Sequence, residues 1–177
     1  MTEMYRKAAS HQLKGVMFHH EAYLFFKFLG LYNFAGIQHE RYAEENETLE
    51  SIVCQCLCRH DMLIKPEHED SEVIPSEAYS TKASSVGNEY KRKALIKFMQ
   101  KWKDWETGTE KFYMELADEC KGNPCSTLFS DIAKDVSHEI AYLHDLERLF
   151  ELAGYELVQV ENLSAIKISF ARQVRIS

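Results

Sequence analysis

Four glutamates of this chain, Glu21, Glu45, Glu106 and Glu139, stand on or beside helical stripes that are otherwise apolar. The pattern is plainest in FAGIQHERYAEENETLESIVCQCL, where Phe34, Ile37, Leu49, Ile52 and Cys56 share one face and Glu45 lies in its middle. An unpaired carboxylate in a core costs several kcal/mol, on the order of the stability of a small domain. Such a group must be protonated, paired with a cation or bound to metal. Glu21 completes the alternation of Leu13, Met17, Leu24, Phe28 and Leu31, and Glu106 lies near the centre of a face formed by Leu95, Phe98, Trp102, Trp105, Tyr113 and Leu116. Glu139 lies close to the stripe Phe129, Ile132, Val136, Ile140 and Leu143. Four carboxylates converging in a dry core would repel one another, and protons would relieve only part of that. Two divalent cations neutralise four carboxylates, so the economical expectation is a dinuclear metal centre. Oxygen donors favour iron or manganese over zinc.

Four long helical segments must carry these residues, at about 5–29, 34–63, 88–120 and 125–153. The three prolines fall outside them, Pro66 and Pro75 in a linker over 64–86 and Pro124 at a turn introduced by Gly122 and Asn123. The expectation is an all-α antiparallel four-helix bundle occupying 1–154, with a long crossover between its second and third helices. Rise per residue places Glu21 and Glu45 at similar distances from the first turn, and Glu106 and Glu139 at similar distances from the last. All four meet in one layer if both turns lie at the same end, with the third helix parallel to the first. A rival stripe on the first helix runs through Ala9, Gln12, Val16, His20 and Tyr23. The run AYLFFKFL is apolar nearly all round, which implies a second packing partner and points to a homo-oligomer. The tail, 155–177, alternates loosely at Ile166, Ile168 and Phe170 and carries Lys167, Arg172 and Arg175; an added strand, a subunit arm and disorder all remain open for it.

With 177 residues, 45% of them apolar, the chain is long enough for a substantial core. A net charge of -7 argues against nucleic acid and is compatible with attracting metal cations. The N-terminus lacks the apolar run of a signal peptide, and AYLFFKFLGLY is too short to span a bilayer, so no membrane partner is expected. Five cysteines, an odd number, fit reduced thiols and a cytoplasmic location. Cys54, Cys56 and Cys58 diverge around their helix, Cys120 and Cys125 flank a turn, and His19, His20, His60 and His68 form no spaced ligand set.

FAGIQHERYAEENETL resembles the second helix of ferritins and rubrerythrins, and WETGTEKFYMELADECKGNPCSTLF resembles the ferritin third helix, its turn and the start of the fourth. The resemblance to the ferritin-like superfamily covers about residues 10–153. It implies a four-helix bundle binding two iron ions, with ferroxidase, iron-storage or peroxide-reducing activity. The chain departs from that pattern at Thr48 and Tyr142, which stand three residues after Glu45 and Glu139 where family members often carry histidine. A ferritin-like spacing would also select Gln12 on the first helix. Stripe and height favour Glu21, with Gln12 and His20 as alternates, and Asp135 with His138 offers a second carboxylate–histidine register on the fourth helix. These departures bear on metal affinity and reactivity more than on fold. Two other functions fit the same residues: a bundle that serves as a structural or interaction module without redox chemistry, and a di-metal oxidase of a small substrate.

Overall fold

The computed structural model describes residues 1–67 and 73–176, with side chains described through residue 167. The described residues form five α-helices and no strand: α1 (Thr2–Phe28), α2 (Tyr32–His60), α3 (Asn88–Glu119), α4 (Pro124–Leu152) and α5 (Leu157–Ile176). Two short 3₁₀ turns, Ser76–Ser80 and Ala83–Ser85, lie in the connection before α3. His68, with the rest of 68–72, lies outside the described residues, as do the side chains of Ile168, Phe170, Arg172 and Arg175. The fold is thus an all-helical bundle.

The helices end where backbone chemistry requires. Gly30 (φ 76°) and Gly154 (φ 61°) take the left-handed conformation that lets Leu31 N–H reach Phe26 O at 2.9 Å and Tyr155 N–H reach Phe150 O at 2.8 Å, capping α1 and α4. Pro124 opens α4, where its missing N–H costs no helical hydrogen bond.

Contacts along α1 and α2 run in opposite order, with Gln12 against Glu45, His19 against Gln38 and Phe26 against Phe34. The same holds for α3 and α4, through Lys103 with Glu147 and Tyr113 with Phe129. The α1–α3 contacts correct one sequence-based expectation. His11 meets Thr109, Phe18 meets Trp105 and Phe26 meets Phe98, so α3 runs opposite to α1 and the two turns lie at opposite ends. The connection between α2 and α3 makes this possible by travelling along α1. Glu67 N–H donates to Ser10 Oγ at 2.9 Å, and Val73 N–H donates to Glu21 Oε2 at 3.2 Å further up the helix.

Small residues set the buried face of α1. Ala8, Ala9, Gln12, Gly15, Val16, His19 and Ala22 are buried, whereas Leu13 and Met17 are only partly covered and Leu24 is 45% exposed. The face is therefore closer to the rival stripe than to the aliphatic one, because alanine and glycine let neighbouring helices approach where larger side chains would hold them apart. The apolar second half of α1 does find a further partner within the chain. Val73 joins the core cluster of Phe25, Phe26 and Leu29, and Ile74, Ala78 and Val86 pack against it.

The tail is a helix, not a strand. Glu161 of α5 accepts hydrogen bonds from Asn33 N–H at 2.9 Å and Phe34 N–H at 3.0 Å, the free donors of the first turn of α2, and Val160 and Ser164 are buried. The loose alternation at Ile166, Ile168 and Phe170 left the element type open, because three positions are too few to set a period.

Two apolar clusters make the core. One contains Phe18, Phe26, Phe34, Phe98, Trp102, Leu143 and Phe150, and the other contains Tyr5, Ile52, Tyr113, Phe129 and Val136. Each fully buried side chain of this size stabilises by about 1.5–3 kcal/mol relative to exposure. On each of α1 to α4 a polar residue interrupts the sequence between members of one cluster and members of the other: Gln12, Glu45, Glu106 and Glu139. No helix among the described residues is long and apolar enough to cross a membrane.

Candidate metal centre

Three helices bring His19, Glu45 and Glu106 together so that one ligand atom from each lies within 4.8 Å of the others. His19 and Glu106 are fully buried and Glu45 is 9% exposed. Glu45 can enter the core because α1 presents Gly15 opposite it, with the carboxylate filling the space a side chain would take.

The hydrogen bonds fix most of these atoms. His19 Nδ1 lies 2.8 Å from Gln38 Oε1 and donates to it, which fixes the ring with Nε2 turned into the core. Nε2 faces Glu106 Oε1 at 3.5 Å and Glu45 Oε1 at 4.0 Å and has no hydrogen-bond partner among the described residues. Glu106 Oε1 accepts from Trp102 Nε1 at 2.8 Å, while Glu106 Oε2 is buried without a hydrogen-bond partner among the described residues. The Gln12 amide donates to Glu45 Oε2 and to the Glu45 carbonyl at 3.3 Å. Its orientation is fixed from the other side by the Tyr113 hydroxyl, which donates to Gln12 Oε1 at 2.6 Å.

Glu139 approaches from α4 with its side chain 21% exposed. One of its oxygens accepts a hydrogen bond from Arg41, and Oε2 is buried without a hydrogen-bond partner among the described residues. Arg41 also reaches Glu44 Oε2 at 2.7 Å and lies over the Tyr142 ring at 5.2 Å. Burial pushes the Glu45 carboxyl well above the usual carboxylate range, the Glu106 and Glu139 charges push it further, and Arg41 opposes them. Burial likewise pushes Glu139 up to about 7 against the pull of Arg41. A small cavity of about 50 Å³ lined by Gln12, Glu45, Thr109 and Glu139 adjoins this pair. It shares Glu44, Thr48, Asp135 and Glu139 with an outer groove of about 600 Å³ between α2 and α4.

Of the glutamates singled out in the sequence, Glu45 and Glu106 meet, and Glu139 adjoins them through the small cavity. Glu21 sits apart, its carboxylate holding Val73 of the connection. Gln12 contacts Glu45 as donor, and half-buried His20 packs against Tyr42 at 5.1 Å. Asp135 and His138 are exposed on the groove wall. Sequence reasoning passed over His19 and Gln38. A signal for them existed in the spacing of Gln12 and His19, two helical turns apart, but the rival stripe through Gln12 continues to Val16 and His20, one position away from His19. Cys120 and Cys125 are free and buried, and burial with the neighbouring thiol pushes Cys120 up to about 12.

The donor set fits a cation. Two ligands of one first-row ion, each at about 2.1 Å, lie no more than about 4.2 Å apart; the His19 distances to the two carboxylates, 3.5 and 4.0 Å, fall within that range, and the remaining pair, Glu45 and Glu106, lies within 4.8 Å. Histidines that bind metal usually donate their other ring nitrogen to an oxygen, as His19 does to Gln38, and the bond holds the ring in place. Compared with protein-family models, curated proteins and solved structures, the chain matches none of them.

Proposed function

We propose that this protein is a ferritin-like antiparallel four-helix bundle that takes Fe(II) in its core, at His19, Glu45 and Glu106, and hands its electron to oxygen or peroxide. The observation that carries the reading is that His19 Nε2, buried and without a hydrogen-bond partner among the described residues, faces carboxylate oxygens of Glu106 and Glu45 at 3.5 and 4.0 Å, a cluster of ligand atoms suited to a cation. The opposite order of contacts within α1–α2 and α3–α4, and the connection running along α1, support the ferritin-like topology. Manganese suits the same donors.

Iron is the substrate in this reading. Each Fe(II) gives one electron, and a peroxide that takes two electrons and two protons leaves as two waters. The chain's contribution is to bind and orient: His19 supplies nitrogen, Glu45 and Glu106 supply charge, and Trp102 and Gln12 hold the carboxylates in place. The groove walls, with Glu44, Glu47, Asp131 and Asp135, give cations an acidic approach to the small cavity beside Glu45. Leu24 and Tyr32, exposed near the α1–α2 turn, offer apolar surface for association of several copies.

A second reading has its own observation. The Arg41–Glu139 ion pair and the Gln12–Glu45 hydrogen bond satisfy part of the polar layer without metal, as a purely structural bundle would require. Elemental assay of the purified protein, then aerobic Fe(II) addition followed by ferric absorbance, separates the two. The expected result is bound metal and oxidation above buffer, both lost in the Glu45→Gln/Glu106→Gln double variant. No metal and no oxidation, with a double variant more stable than the parent, makes the bundle a structural module.

A further inference from the structure

The four-glutamate pattern points to two ions, but the side chains around Glu139 do not fit a second one. Arg41 holds Glu139 directly, joins it to Glu44 at 2.7 Å, and is itself only 18% exposed beneath the groove. A guanidinium is charged at every accessible pH and binds carboxylate in a fixed geometry, so it takes one Glu139 oxygen and leaves only Oε2, without a hydrogen-bond partner among the described residues, for a metal. On the other side, the Gln12 amide donates to Glu45 Oε2, the oxygen not turned toward His19, and Tyr113 locks that amide in place. Glu45 therefore has one oxygen for a ligand role and one already occupied. Thr48 and Tyr142, one turn after Glu45 and Glu139, supply no nitrogen donor.

We infer that the core takes one divalent cation, at His19, Glu45 and Glu106, and that the Arg41 guanidinium on Glu139 stands in the place of a second. The inference rests on the metal-binding reading above and sharpens it to a stoichiometry. It also explains why α2 and α4 can close over the site without metal on that side: Arg41 reaches across from α2 to Glu139 of α4 and covers Tyr142.

The test is Mn(II) titration of the metal-free full chain, read by equilibrium binding and by electron paramagnetic resonance. The expected result is one Mn(II) per chain with the six-line signal of an isolated ion. His19→Ala should weaken binding by at least about tenfold, and Arg41→Met, which keeps much of the bulk and removes the charge, should raise the capacity from one ion to two. Two ions per parent chain with an exchange-coupled signal would overturn the inference and leave the metal-binding reading standing. No binding by the parent chain would overturn both. An Arg41→Met protein with a native circular dichroism spectrum and still one ion would remove Arg41 from the role assigned to it. The parent stoichiometry decides the main point even if a variant does not fold.

Discussion

Gly15 of α1 and Glu45 of α2 share one space: a Cβ on Gly15 would lie 2.8 Å from Glu45 Oε2 and 3.1 Å from its Cδ, with Trp105 Cζ2 at 3.2 Å on the other side. The buried carboxylate is thus placed by the lack of a side chain on the facing helix, as well as by its hydrogen bond to Gln12. Glycine within a helix ordinarily costs up to about 1 kcal/mol relative to alanine, so its presence here is a concession to the site.

Gly15→Ala should therefore separate stability from binding. The helix gains propensity, the added methyl displaces the Glu45 carboxylate from Gln12 and His19, and the two effects oppose each other in the metal-free protein. The expected outcome is a melting temperature within a few degrees of the parent and Mn(II) affinity lowered at least about tenfold. Unchanged affinity in calorimetric titration would mean that Glu45 is not a ligand.

His11 gives the metal-free protein a pH dependence with a definite sign. Its imidazole lies between Trp105 and Phe112, with ring centroids at 4.8 and 4.1 Å, and bonds Thr109 at 2.9 Å. Burial pushes it down to about 4, Lys14 adds to the shift and Glu106 opposes it. The unfolded chain, with an ordinary value of about 6.5, then binds more protons than the folded one between those two values. Its share of stability is present above about pH 6.5 and is lost as pH falls through about 4, a change on the order of 1–2 kcal/mol between pH 7 and pH 5. Urea unfolding at the two pH values checks this, and His11→Phe, which preserves the stack, should flatten the slope. An equal slope in the variant would assign the effect to other groups.

Glu161 ties α5 to the start of α2. Its carboxylate takes the Asn33 and Phe34 N–H groups, and its backbone carbonyl takes the Asn33 amide at 3.1 Å. Glu161→Ala should cost about 1–2 kcal/mol and speed proteolytic cutting within 157–176, whereas Glu161→Gln, which keeps an acceptor, should recover part of the loss. Identical cleavage rates in parent and Ala variant would show that the cap does not hold α5.

Much of the bundle was legible from local pattern. Helix ends at Gly30, Pro124 and Gly154, and the apolar stripes of α2, α3 and α4, follow from dihedral preference and a period of 3.6 residues, which act within a few residues of one another. Glu45 and Glu106 were legible for the same reason, since each interrupts a stripe on its own helix.

Other features depended on what faces what. The buried side of α1 was decided by how closely its Ala8, Ala9, Gly15 and Ala22 let the partner helices approach, a property of pairs of helices that periodicity on one cannot carry. The direction of α3 was decided by the path of the connection along α1, from Ser10 to Glu21. That reversal, with the shifted face, brings His19 rather than Glu21 level with Glu45 and Glu106. Arg41 reads in the sequence as one more surface charge, and only the packing of α2 against α4 sets it on Glu139. The sequence by itself determined which helices form and where each carries a buried carboxylate, because those are local energies; the tertiary structure decided which side chains meet that carboxylate, because burial and charge pairing depend on groups far apart in the chain.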